Sequence, residues 1–310
     1  MFRCLLLIGC LLSSGCSLLP DIAWRPAVHN PFPQLSKVAV APFFNLSNEP
    51  TVDGRSLAMA YFAELQSVPG FEVVPVNVTE RAIEDNQIRL DGPTDARRLA
   101  KILDVDAVVL GAVTDYSPYY PPRLGLQVEW YAANPCFHPI PPGYGMPWGT
   151  PDEERLPAAT VFEAELALAK AQLETQTPVM PAISGPASAE AAVETLTPVD
   201  QPPADVPDDW PDARGLIPPL PGPGTPPCRP SDAAVLRHTA FYDGSELELT
   251  KALADYHMFR DDARAEGWQA YLQRSDDFVR FCCHEHILGM LSVRGGAGET
   301  RVVWRWPSVR

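Results

Sequence analysis

Apolar residues along this chain recur with two periods, and their alternation lays out a domain. Residues 37–44 (KVAVAPFF) form a short β-branched and apolar run closed by a polar stretch at 45–50, which predicts a strand and a loop. Leu57, Tyr61, Leu65 and Val68 then fall at helical spacing until Pro69 and Gly70 stop the helix. Residues 71–76 predict the next strand. Residues 79–85 and 94–103 predict helices, the second capped by Thr94 with Asp95 in its first turn. The run 106–115 (DAVVLGAVTD) predicts a buried strand, with 124–131 as its neighbour across the Pro-rich turn 117–122.

The pattern resumes after a long gap. Residues 234–242 predict a strand stopped by Asp243 and Gly244, and Ser245 is placed to cap a helix with Leu249, Leu253 and Tyr256 on one face. Ser275 is placed to cap another, on which Val279, Cys283, Ile287 and Met290 form an apolar stripe and Asp276, Arg280 and His284 a polar one. Gly295, Gly296 and Gly298 turn the chain into a last strand at 301–306. The predicted class is α/β, a mixed sheet flanked by helices, built from 36–131 and 232–310 as one domain.

Composition explains the gap. Of the 35 prolines of this 310-residue chain, 22 lie in residues 134–230, which also carry a net charge of −9 out of −15. Such a stretch buries too little apolar surface to offset chain ordering, so a disordered, Pro-rich acidic insertion is expected there, with residues 158–176 as a helix-forming island. The rest of the chain has no basic footprint for nucleic acid and no Lys/Arg cluster for anionic lipid.

The N-terminus changes the picture more. Arg3 precedes an apolar run from Leu5 to Leu12, and Ser13, Ser14 and Gly15 lead into Cys16, so residues 1–15 read as a secretory signal ending at a lipobox. The run is too short to span a bilayer, which needs about 20 apolar residues. Cys16 is the expected lipidated residue, preferred over Cys10, whose upstream core is too short for a signal. Residues 16–35 are then a linker from the lipid to the domain. The protein is expected to be anchored to the membrane, with no span across it.

Lipobox, VAVAPFFNLS at 38–47, PGFEVV at 69–74 and an A-x-x-L-x-V-D-A-V-V-x-G segment (Ala100, Leu103, Val105, Asp106, Ala107, Val108, Val109, Gly111) occur in that order. This order resembles bacterial envelope lipoproteins of the curli-secretion and penicillin-binding-protein activator types and the N-terminal domain of TolB. The resemblance covers about 37–131, and residues 276–291 fit the last helix of that fold. It implies a non-enzymatic binding or assembly module with a protein partner in the envelope. Ser17 after the anchor, where Asp is absent, implies passage to the outer membrane with the body in the periplasm.

Candidate chemistry is sparse. Cys282 and His286 stand four apart on the predicted last helix, the spacing for shared zinc ligation and the basis of an alternative metal-binding or enzymatic reading. His284 points away from that pair, no second ligand cluster is evident, and helix packing is the preferred reading, with no metal and no cofactor. Cys136 and Cys228 flank the insertion and either pair in the oxidising periplasm or stay free. Residues 294–300 (RGGAGET) lack the Lys of a phosphate loop and precede a strand, so they read as a turn. No nucleophile elbow or H-E-x-x-H string is present, and no catalytic residue is assigned. Asp115, Tyr116, Tyr119, Tyr120 and Arg123, on and beyond a strand end, suit a partner surface as well as they suit packing under the insertion. Trp268, Trp304 and Trp306 are expected in the core. Oligomeric state is left open by the sequence.

Overall fold

Strand β2 (Lys37–Val40) is buried on both faces, which places it in the middle of the molecule. Val38 and Val40 belong to one apolar cluster and Ala39 to another, as the two-residue period of a strand requires. In the computed structural model, residues 21–151, part of 153–169, 230–260 and 267–305 are described. The signal segment with Cys16, most of the excursion with Cys228, and Trp306 lie outside them. By contacts the chain divides into residues 1–172 with 230–310, and residues 173–229; the described residues all belong to the first unit.

Around β2 lies a six-stranded mixed sheet. Strands β4 (Glu72–Val74), β2, β5 (Ala107–Ser117), β6 (Arg123–Ala132) and β7 (Leu236–Asp243) follow in that spatial order, and the short β3 (Phe44–Asn45) pairs further along β5. The β4, β2, β3 and β5 pairings are parallel, and β5, β6 and β7 are antiparallel. On one face, helices α1 (Gly54–Gln66) and α6 (Ser275–Leu291) bury Leu57, Tyr61, Leu65, Phe281 and Ile287 over Val109, Leu126, Val128 and Trp130. Each such side chain removed from water contributes roughly 1.5–3 kcal/mol. Helices α4 (Leu247–Phe259) and α5 (Gln269–Gln273) extend this cluster. On the other face, α2 (Val76–Asp85) and α3 (Pro93–Leu103) cover Ala39, Ala41 and Val108, where small side chains allow close approach.

Helix starts differ from the expected caps. Helix α3 begins at Pro93 after Gly92, because proline is suited to the first helical position, and Thr94 therefore sits inside it. Ser245 does not cap α4, since its amide and hydroxyl both donate to Asp243 Oδ1 and Glu246 occupies the cap position. Arg274, not Ser275, precedes α6.

Two glycines of the segment that resembles envelope lipoproteins are required by the close approach of Phe43. A Cβ on Gly111 would lie 2.4 Å from the Phe43 ring, and one on Gly54 would lie 1.9 Å from the Phe43 carbonyl oxygen. Phe43 is buried and meets the Tyr61 ring at 5.4 Å. Asp106, within the same motif, accepts from the Ser36 and Lys37 amides and the Ser36 hydroxyl, which fixes the entry into β2. These residues shape the fold. Gly54→Ala forces backbone apart and is expected to cost about 3 kcal/mol. Its thermal midpoint should fall by roughly 6–12 °C in a domain of this size, whereas an unchanged midpoint would show that this approach is not tight.

Two expected boundaries move. Residues 16–35 are not all linker: β1 (Asp21–Val28) pairs antiparallel with β8 (Ala297–Arg305) in a separate two-stranded ribbon, and Phe32 and Leu35 are buried. Asn30 secures the connection, its side chain donating to the Leu35 and Gly70 carbonyls and accepting from the Phe32 amide. The excursion also starts later than residue 134. The Ile140 amide bonds the Val235 carbonyl, the Gly143 amide bonds the Val293 carbonyl, and Ile140 is buried. Arg294, itself buried, donates to the carbonyls of Ile140, Met290 and Arg237, clamping the first residues of the excursion to α6 and β7. The prolines there are held by backbone partners, which composition does not register. Cys136 is disulfide-bonded; its expected partner Cys228 lies outside the described residues.

Candidate functional site

An irregularity in β5 decides where the expected partner residues point. The β5–β6 register shifts between Val113 and Asp115, so the alternation of faces restarts there. Tyr116 then pairs opposite Leu124 and joins the helix-covered face, packing against the core, while Asp115 pairs opposite Gly125 on the other face. Beyond the strand, Tyr119 and Tyr120 are exposed at 77% and 73% in the turn before the cis Pro121, and Arg123 is exposed at the start of β6. The five residues thus divide into three places. Tyr119 and Tyr120 keep the exposure a contact surface needs, and Tyr116 lines a cleft.

That cleft, about 430 Å³, lies between the β3–α1 loop, the end of β5 and the N-terminus of α6. Its walls include Asp53, Ser56, Tyr116, Ser275, Asp276 and Arg280. Asp53 caps α1 by accepting from the Arg55 amide. Burial pushes the Tyr116 phenol above its usual range and the Ser275 hydroxyl draws it partly back. Tyr116 is therefore a neutral hydrogen-bonding group at neutral pH.

Behind the cleft is a buried charge cluster. Glu64, 5% exposed on α1, accepts from Arg280 Nε at 2.7 Å, Arg260 Nη1 at 2.9 Å and the Tyr256 hydroxyl at 3.1 Å through Oε1, and meets His284 Nδ1 at 3.2 Å through Oε2. Arg260 also donates to the Tyr256 hydroxyl and lies over its ring at 5.1 Å. Burial alone would raise the Glu64 carboxyl; the His284 and Arg280 hydrogen bonds outweigh it and hold the group at about 2. One carboxylate so joins α1, α4 and α6. His284 and Arg280, expected on a polar stripe of the last helix, face this carboxylate, and His284 is buried. The available signal was Glu64 falling three residues after Tyr61, inside an apolar helical row.

The Cys282–His286 helix is sealed. Cys282, Cys283 and His286 have no solvent exposure, and both thiols are free. Burial pushes both thiols up, so neither forms a thiolate readily. The His286 ring packs edge-on to His238 at 4.7 Å and to Tyr61 at 5.9 Å, and neither of its nitrogens has a hydrogen-bond partner in bonding geometry among the described residues. Among those residues no group of three or more His, Cys, Asp or Glu side chains is arranged to hold a metal ion. Of the tryptophans expected in the core, Trp268 is partly buried against it, whereas Trp304 is 62% exposed because its strand belongs to the outlying ribbon.

No protein-family model and no curated protein sequence matches the chain. Solved structures similar to part of it include lipoprotein GNA1162 from Neisseria meningitidis, 23% identical over 32% of this chain and 72% of that one with a TM-score of 0.27. The LpoB C-terminal domain from Salmonella enterica is 14% identical over 34% of this chain and 77% of that one, TM-score 0.27. PelC from Paraburkholderia phytofirmans is 18% identical over 36% and 71%, TM-score 0.22. The partial likenesses thus include bacterial lipoprotein domains.

Proposed function

We propose that this chain is a non-enzymatic lipoprotein of the bacterial envelope, anchored through Cys16 on the periplasmic face of the outer membrane, whose α/β domain binds a protein partner. The observation that carries the reading is the division of labour among side chains. Among the described residues, the buried groups of the last helix and its neighbour are occupied internally: Glu64 by four donors, Cys282, Cys283 and His286 by complete burial. Tyr119 and Tyr120 instead stand exposed directly beyond Pro118, which lines the cleft. Paired tyrosines on a proline-stiffened turn offer large contact area with little side-chain entropy to lose. The Cys136–Cys228 bridge belongs to the same proposal, closing the excursion into a loop.

A photo-crosslinking residue in place of Tyr119, in cells, should trap one discrete protein from the membrane fraction, and the same residue in place of Val78 on α2 should not. Absence of an adduct at 119, or the same adduct from 78, would refute a partner surface on this turn. Cys16→Ser should abolish fatty-acid labelling and release the body from the membrane fraction.

A further inference from the structure

The ribbon of β1 and β8 carries an exposed apolar pair for which the fold has no use. Ile22 pairs opposite Trp304, and they are 43% and 62% exposed. Helix α4 contacts both strands, so the ribbon is fastened to the body and does not trail from it. Strand β1 begins five residues after Cys16. Five residues span at most about 18 Å even when fully extended, so a lipid on Cys16 keeps this strand within that distance of the bilayer.

We infer that the Ile22/Trp304 face of the ribbon rests on the lipid surface next to the anchor, as a second contact that fixes how the domain is oriented on the membrane. Tryptophan and a branched aliphatic side chain suit the headgroup level, where an amphipathic ring keeps one edge wet. A single tether restrains distance and leaves the body free to rotate, whereas a tether with an adjoining apolar contact restrains both. The inference rests on lipidation at Cys16, which is tested apart from it.

The experiment uses the full lipidated chain with a spin label on Ile22→Cys, reconstituted in vesicles of phosphatidylethanolamine and phosphatidylglycerol; Val78→Cys, exposed on α2, is the reference. At position 22, relaxation by lipid-soluble oxygen should exceed that by a water-soluble nickel chelate. At position 78 the order should be reversed. Adding Trp304→Asp should bring position 22 back to the reference behaviour while fatty-acid labelling and circular dichroism stay unchanged. Water-like behaviour at 22 in a chain that still takes up fatty acid overturns the inference and leaves the anchor standing. Shielding at 22 that persists in the Cys16→Ser form released from membranes also overturns it, because the occupant is then protein. Loss of fatty-acid labelling in the unsubstituted chain would instead remove the anchor itself.

Discussion

Glu64→Leu is expected to destabilise the domain by about 3 kcal/mol, the lower end of what breaking a buried ion pair costs by removal of one partner. The variant leaves Arg260 and Arg280 without their carboxylate and puts an apolar group against the His284 ring and the Tyr256 hydroxyl. The lower end applies because Arg280 and Arg260 side chains are 43% and 27% exposed and can turn toward water. Urea unfolding reads the loss as a lower midpoint with an unchanged slope. Glu64→Gln keeps an acceptor in place and should lose less. Combining Glu64→Leu with Arg280→Met and His284→Leu should recover part of the loss, since the charges left behind are what destabilise. A Glu64→Leu midpoint within the scatter of surface substitutions would show that the cluster does not hold α1, α4 and α6 together.

Local pattern carried most of the sheet and little of what binds it together. Strands β2, β5 and β6 and helix α1 were legible because each buries residues at its own period, as Leu57, Tyr61 and Leu65 do on α1. The β1–β8 ribbon was not, since Ile22 and Trp304 pair across some 280 residues of sequence and Pro26 interrupts the local strand signal. Composition set the edge of the excursion at residue 134 because proline content does not show that Ile140 and Gly143 are tied by hydrogen bonds to Val235 and Val293. In the candidate site, the tyrosines of the 117–122 turn were legible as aromatics on a stiff turn, and the choice between exposure and packing under the excursion was not. The turning of Tyr116 to the opposite face was not, because a register shift in β5 has no marker in the alternation of Val113, Thr114 and Asp115. Glu64 and His284 stayed hidden for a related reason. Charged residues on a helix ordinarily read as its wet face, and only the meeting of three helices makes them internal.

Acid should weaken the fold in two separate windows. His238 is held at about 4, first by burial and then by the nearby Arg294, and burial puts His286 well below the usual imidazole range. The groups facing His286 are Tyr61 on α1, His238 on β7 and Arg294 beyond its own helix, with Cys282, Cys283 and Glu285 near it in sequence on α6. Both histidines are neutral when folded and take up a proton on unfolding below about pH 6.5. The unfolded state then binds more protons, so stability falls as pH falls. Between pH 7 and pH 5 His238 alone accounts for about 2 kcal/mol of loss, and His286 adds a loss of the same sign. Glu64, held at about 2, behaves differently: its contribution persists above about pH 4.5 and disappears only as pH falls from there toward 2. His286→Phe keeps a planar ring beside Tyr61 and removes one titrating group, so its stability should decline less steeply between pH 6.5 and 4. Glu64→Gln should remove the lower window and leave the share of the decline that His238 and His286 cause. Equal slopes for the unsubstituted chain and His286→Phe above pH 4 would show that His286 is not held neutral in the core.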